Sequence, residues 1–363
     1  MKVVITAGGT GGHIFPALAV IEKLQKEDKT LELLYIGTTD RMEKDLIPKK
    51  NIPYVGLKML GLNRHNPFKN IEVMKTYYRA VKKAKEELQK FKPDIVIGFG
   101  GYIEAPVIYA ASKLKIKTII HEQNSIPGVS NKFLARYVDK ILVSFHESEK
   151  YFSKEKTIYT GNPRSEQIKT IKPLFKETLG FKKDLPLIII VMGSLGSLTM
   201  TNKLKDIITS FKNKKYQVLL ITGNNYYNSY KDVKIPSNVK IVPFLDNLIS
   251  YMKDSDLIVT RSGASTIAEI TSIGLPAIMV PSPYVTNNHQ MMNAKALEND
   301  GACKIIEENK FSKETLIPLI DELINNKEEL KKMSKAMLKR SKSDSASLIY
   351  KEIIKLVRDE ENE

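Results

Sequence analysis

The sequence predicts an α/β protein of two domains, each a parallel sheet with helices on its faces, and three observations carry that reading. Short apolar runs alternate with segments of helical period, the rhythm of strand–helix–strand units. The pattern begins at Lys2-Val3-Val4-Ile5-Thr6 and begins afresh at Leu187-Ile188-Ile189-Ile190-Val191, so the chain winds two sheets. Its 363 residues are enough for two domains of ordinary size, each with its own core.

In the first half, the opening strand runs into Gly8-Gly9-Thr10-Gly11-Gly12-His13 and then a helix whose Ile14, Leu18, Ile21 and Leu24 share one face. Strand, glycine loop and helix make a cradle for phosphate or pyrophosphate. The spacing is neither the G-x-G-x-x-G of dinucleotide sites nor a P-loop, so NAD and ATP are not expected. A plain chain reversal would also use such glycines. An imidazole at His13, however, is suited to proton transfer near neutral pH. After strands at 31–37 and near Val55 comes a basic segment from Lys58 to Lys92, with Lys75, Arg79, Lys82 and Lys83 among Phe68, Ile71, Met74, Tyr77 and Tyr78. That mixture suits an anionic membrane surface, or equally an amphipathic helix with a solvated lysine face. The strand at 94–97 leads to Gly98-Phe99-Gly100-Gly101-Tyr102, and the strand at 118–120 to His121-Glu122-Gln123-Asn124. Three glycine-rich or polar strand ends on one edge point to a ligand, because ligands of open α/β sheets collect there.

In the second half, the apolar run 256–260 precedes Arg261-Ser262-Gly263-Ala264-Ser265-Thr266-Ile267-Ala268-Glu269. This reads as a strand-to-helix turn whose amides receive phosphate, with Thr266 and Glu269 on one helix face. A carboxylate there can accept hydrogen bonds from two ribose hydroxyls, although a helix cap with Glu in its first turn would look the same. Gly193-Ser194-Leu195-Gly196-Ser197, Thr222-Gly223 and Phe244-Leu245-Asp246 follow other strands, and a polar loop leads through Asn287 to Gln290. Gly161-Asn162-Pro163-Arg164 reads as a hinge, and a last helix over 345–357 is expected to return to the first domain. The expected domains are 1–161 with 345–363, and 162–344, two Rossmann-like halves facing a cleft.

The formal net charge of +16 leaves phosphorylated ligands, anionic lipid and nucleic acid open. No zinc-finger spacing, RNA-binding sheet motif or helix-turn-helix is evident, so nucleic acid is not expected. No apolar run nears the roughly 20 residues of a membrane span, and no secretory signal is recognised, so a cytoplasmic protein is expected. The single cysteine, Cys303, offers neither a disulfide nor a metal cluster.

In order and spacing, Gly8 to His13, Gly100-Gly101-Tyr102, His121 to Asn124, Gly161-Asn162-Pro163, Gly193-Ser194, Phe244-Leu245-Asp246, Arg261 to Glu269 and His289-Gln290 resemble the MurG glycosyltransferases. The resemblance implies the glycosyltransferase type B fold. It also implies an inverting enzyme at the cytoplasmic face of the membrane that moves N-acetylglucosamine from UDP-N-acetylglucosamine onto lipid I. By similarity the donor belongs to the second domain and the acceptor to the first, whose acceptor side includes Gly100, Gly101 and Tyr102. Thr10, Gly11 and Gly12 would sit against the donor from the first domain, and Asn124 and Gln290 would contact its sugar. Ser194 and Arg164 would face the diphosphate, and Leu245 would offer its backbone to uracil. Ala264, Ser265, Thr266, Ile267, Ala268 and Glu269 would hold phosphate and ribose. Arg164 follows Pro163 directly where the family usually has one residue between, His289 stands where Gln is common, and Glu104 where a small or neutral residue is usual.

The chemistry needs a base for the acceptor hydroxyl and stabilisation of departing UDP. His13 is the first candidate base and Glu122 the second. No Asp-x-Asp motif is evident at a strand end, so amides and helix N-termini are expected to stabilise UDP without a metal or other cofactor. Two rivals are a UDP-N-acetylglucosamine epimerase, which needs paired acid and base groups at the sugar's second carbon, and a non-catalytic nucleotide-sugar sensor.

Overall fold

The computed structural model describes residues 1–61, 70–193 and 196–358, and the chain divides into two compact units. The first comprises Met1–Arg164 with the chain from Asp344 onward; the second is Ser165–Ser343. The first crossing falls three residues beyond the expected 161, because Asn162 and Pro163 are buried and the Arg164 guanidinium lies over the Phe15 ring at 5.7 Å.

In the first unit β1 (Lys2–Thr6), β2 (Glu32–Thr38), β3 (Tyr54–Leu57), β4 (Ile95–Gly98), β5 (Lys117–Glu122), β6 (Lys140–Val143) and β7 (Thr157–Tyr159) form a parallel sheet in the order β3-β2-β1-β4-β5-β6-β7. Alternate residues enter opposite cores, as the strand period of two requires. Val3, Ile5, Ile95 and Ile97 pack with Ile14, Ile21 and Leu24 of helix Gly11–Glu27 and with Ile349 and Ile353 of helix Ser345–Arg358. Val4 and Val96 pack on the other face with Ala80, Ala84 and Leu88 of helix Asn70–Phe91. β5 runs two residues past the expected end, since His121 and Glu122 pair with Leu142 and Val143 of β6.

In the second unit β8 (Leu187–Val191), β9 (Gln217–Ile221), β10 (Val239–Val242), β11 (Leu257–Thr260), β12 (Ala277–Met279) and β13 (Cys303–Ile305) are again parallel, in the order β10-β9-β8-β11-β12-β13. Sequence order reverses direction between β1 and β4 in one sheet and between β8 and β11 in the other. Ligands of open α/β sheets collect at the carboxyl edge beside such a reversal. The glycine-rich segments at Gly8, Gly98, Gly193 and Ser262 follow these four strands.

Candidate active site

In the first unit the β1 and β4 loops touch. The Gly8 amide donates to the Gly100 carbonyl at 3.3 Å, and a Cβ on Gly101 would stand 2.4 Å from the Gly8 carbonyl oxygen. Gly100 and Gly101 also have φ of 99° and 88°, so both positions require glycine. His13, in the first turn of its helix, packs on Gly100 and directs Nδ1 at the Gly8 carbonyl at 3.0 Å. A carbonyl only accepts, so Nδ1 carries a proton, and when the ring is neutral its lone pair is on Nε2. Thr10, exposed, caps this helix through its carbonyl, which accepts from the amides of His13 and Ile14. Gly11 and Gly12, partly exposed, form its first turn. The Tyr102 hydroxyl accepts from Arg41 Nε at 3.1 Å.

Glu122 is buried and accepts from four donors: the Asn124 amide at 2.9 Å, Asn124 Nδ2 at 3.2 Å, the Gly128 amide at 2.9 Å and Asn131 Nδ2 at 2.8 Å. Both of its oxygens are engaged, which suits holding the 123–128 loop, and with it Asn124, better than taking up a proton. His121 is wholly buried. Its Nε2–H donates to the Gly161 carbonyl, Nδ1 accepts from Gln123, and burial lowers its pKa to about 4. Glu104, whose place the sequence singled out, is also wholly buried, and that burial pushes its carboxyl well above the ordinary range.

In the second unit the Ala264–Ile273 helix begins one residue after Gly263. The Ile267 amide is bonded to the Gly263 carbonyl at 2.9 Å, and the side chains of Ile267 and Ala268 lie in the core. The outward groups of the run are therefore the amides of Ala264, Ser265 and Thr266, which by position lack intrahelical acceptors, and the partly exposed side chains of Thr266 and Glu269, whereas the Ser265 hydroxyl is buried. Ile267 and Ala268 thus serve packing. Gln290 is tied to the same turn. Its backbone carbonyl accepts from Ser262 Oγ at 2.8 Å and its side-chain oxygen from the Ser282 amide at 2.9 Å, so its NH₂ points elsewhere. Leu245, partly buried, follows β10 between the exposed Phe244 and Asp246.

Ser194 lies outside the described residues. At Gly196 a Cβ would meet the Thr222 carbonyl oxygen at 2.2 Å. Sequence reasoning passed over the brace beside it. Arg261 is buried, donates to the Val280 carbonyl at 2.9 Å and meets Glu308 at 2.5 Å and Ser197 Oγ at 3.4 Å. A burial pattern around an isolated Arg and Glu 47 positions apart leaves no mark on local spacing. Among the described residues, no cluster of three or more His, Cys, Asp or Glu side chains is arranged to hold a metal ion.

Residues 3–143 match the glycosyltransferase family 28 N-terminal domain and residues 187–349 the family 28 C-terminal domain. A UDP-N-acetylglucosamine–N-acetylmuramyl-(pentapeptide) pyrophosphoryl-undecaprenol N-acetylglucosamine transferase of Bacillus pumilus is 42% identical over 356 residues, 96% of this chain and 98% of that protein. The chain belongs to the MurG family. A crystal structure of Acinetobacter baumannii MurG superposes with a TM-score of 0.80 at 28% identity, over 98% of this chain and 99% of that one. The family's fold also reaches further: a UDP-GlcNAc 2-epimerase of Neisseria meningitidis, solved with UDP-GlcNAc bound, gives a TM-score of 0.69 at 15% identity over 98% of this chain and all of that one, a likeness of fold alone.

Proposed function

We propose that this chain transfers N-acetylglucosamine from UDP-N-acetylglucosamine to the muramyl 4-hydroxyl of lipid I with inversion, giving lipid II for peptidoglycan synthesis. The observation that carries the reading is the likeness, over nearly the whole chain, to transferases whose name states that donor and a pyrophosphoryl-undecaprenol acceptor. The second unit takes the donor, its diphosphate on the first amides of helix Ala264–Ile273, its ribose on Glu269, its uracil beside Leu245 and its sugar near the Gln290 NH₂. The first unit takes the acceptor beside Gly100, Gly101 and Tyr102.

In the reaction the acceptor oxygen bonds to the anomeric carbon as the bond from that carbon to the UDP oxygen breaks, and the acceptor proton passes to His13 Nε2. The Nδ1–H bond to Gly8 supports this role, because it leaves the lone pair on Nε2. Charge growing on UDP falls on oriented amides. Glu122, with its four donors, holds Asn124 and its loop.

Helix Asn70–Phe91 brings the enzyme to its lipid substrate. Val73, Thr76, Ala80, Ala84 and Leu88 face the core, while the outer face presents Ile71, Met74 and Tyr78, exposed by 59%, 46% and 65%, beside Lys75, Arg79 and Lys82. Apolar groups among cations suit insertion at an anionic lipid surface. The Phe68 end of this stretch lies outside the described residues. No described helix is long and apolar enough to cross a membrane.

Incubation with UDP-N-acetylglucosamine and lipid I, followed by product analysis, tests the reading. A β-1,4-linked disaccharide on the lipid is expected, and His13→Ala should lower turnover by about 10²–10⁴-fold with donor affinity little changed. Conversion of the donor to its 2-epimer, or tight donor binding without product, would replace the reading with one of the two rivals.

A further inference from the structure

We infer that Glu43 is a positioning residue for His13, acting through the peptide unit between Gly8 and Gly9. Glu43 is wholly buried, on the short helix Glu43–Leu46 after β2. Its Oε1 accepts from the Thr38 amide at 3.1 Å and from Thr38 Oγ1 at 2.6 Å, and its Oε2 accepts from the Gly9 amide at 3.2 Å. The carbonyl of that same peptide unit, on Gly8, accepts the proton of His13 Nδ1 at 3.0 Å. Carboxylate, peptide and imidazole therefore form one chain of hydrogen bonds, all pointing the same way, from His13 Nδ1 to Glu43.

Two physical consequences follow. Hydrogen bonds in series polarise one another, so a carboxylate on the N–H end makes the Gly8 oxygen a stronger acceptor and holds Nδ1 in its protonated form. The lone pair then stays on Nε2, and positive charge developing on the ring during proton uptake meets the carboxylate's field across one peptide. The geometry is also enforced by packing. A Cβ on Gly8 would lie 2.5 Å from Glu43 Oε1, so the loop can sit on the carboxylate only without a side chain there. Tyr35 OH donates to the Ala7 carbonyl at 3.0 Å and fixes the strand end that feeds the loop. The first glycine loop, expected from its sequence to cradle a ligand phosphate, thus has its Gly9 amide taken by an internal anion. That amide serves to orient His13.

This inference rests on the reading of His13 as the base for its effect on turnover, but its effect on the imidazole stands apart from that reading. Glu43→Gln keeps the shape, removes the charge and puts an NH₂ against either Thr38 or Gly9. In full-length protein with ¹⁵N-labelled histidine, the His13 signals, identified by their loss in His13→Ala, should report Nδ1-protonated imidazole in the parent and a tautomer mixture in Glu43→Gln. Turnover should fall by about 10- to 100-fold, by analogy with the loss on removing the outer partner that orients a metal-bound histidine. Donor KM should hold. In the His13→Ala background the same substitution should change turnover less than about twofold, because residues acting as one unit are not additive. Glu43→Asp, which keeps the charge but is one methylene shorter, should give an intermediate loss, and serves also if the Gln variant folds poorly. An unchanged His13 tautomer in both Glu43 variants would overturn the inference, as would equal losses of turnover in the two backgrounds. Should His13→Ala keep full turnover while Glu43→Gln still shifts the tautomer, the base assignment fails and the relay stands.

Discussion

Glu269 stands one helical turn beyond the first amides of its helix, partly exposed, while its neighbours Ile267 and Ala268 turn into the core. If it holds the donor ribose, Glu269→Ala should weaken binding of UDP itself by about 1.5–3 kcal/mol, the worth of hydrogen bonds to a charged group. Calorimetry with UDP is the check, and unchanged affinity would remove Glu269 from the site. The spacing of Thr266 and Glu269 was enough to read their shared helix face from sequence, since three residues fix a helix face, and both side chains are partly exposed. His121 and Glu43 were not legible in that way. A lone polar residue beside a loop looks the same whether it faces solvent or is sealed under a neighbouring strand, and only the pairing of β5 with β6 and the short helix after β2 decide the matter. Burial of His121 has its own consequence. Its folded pKa of about 4 lies below the ordinary 6.5, so as pH falls the unfolded chain takes up the proton first. The stability this neutral histidine contributes is intact above about pH 6.5 and is lost as pH falls toward 4, roughly 3 kcal/mol in all. Urea unfolding at pH 7 and pH 4.5 should therefore show a smaller acid loss for His121→Gln than for the parent; parallel losses would mean that His121 is solvated or already charged.

Among the elements, the strands were the plainest in sequence, because a parallel strand buried on both faces must be a short unbroken apolar run and its carboxyl end is marked by the glycines that follow. Helix Asn70–Phe91 was ambiguous, because two apolar stripes on one helix blur the period that a single buried face would give. The structure separates them. Val73, Ala80, Ala84 and Leu88 belong to the core, while Ile71, Met74 and Tyr78 face solvent at helical spacing with Lys75, Arg79 and Lys82. Lys83 bonds Glu87 at 2.7 Å and is the weaker candidate for lipid contact. Replacing Lys75, Arg79 and Lys82 with Gln should weaken sedimentation with vesicles containing anionic phosphatidylglycerol by about 1 kcal/mol per charge at low salt, with less effect as salt rises. UDP binding should stay as it was. Equal vesicle binding by variant and parent would make this an ordinary solvated face.

For the molecule as a whole, the first unit is assembled from both ends of the chain, and its integrity depends on a segment that arrives only after the second unit is complete. Helix Ser345–Arg358 packs on helix Gly11–Glu27, and its Ile349 and Ile353 are fully buried in the core that also holds Val3, Ile5 and Ile14. The amphipathic period of 345–357 announced a buried stripe, but periodicity names no partner. Each Ile→Ala change there should cost about 2–5 kcal/mol, since the surrounding strands cannot collapse into the space left. The second unit keeps its own core of Ile188, Val218, Leu257, Ile278 and their neighbours, untouched by these changes. Ile349→Ala with Ile353→Ala should therefore lower the temperature at which the first unit unfolds and abolish transfer to lipid I at a temperature where UDP still binds with parental affinity. Calorimetric titration with UDP alongside thermal unfolding reads both effects. Loss of UDP binding in step with loss of the first unit would mean that the donor site is not the second unit's own, and would move the assignment of Ala264 to Glu269 as a self-sufficient nucleotide site into doubt.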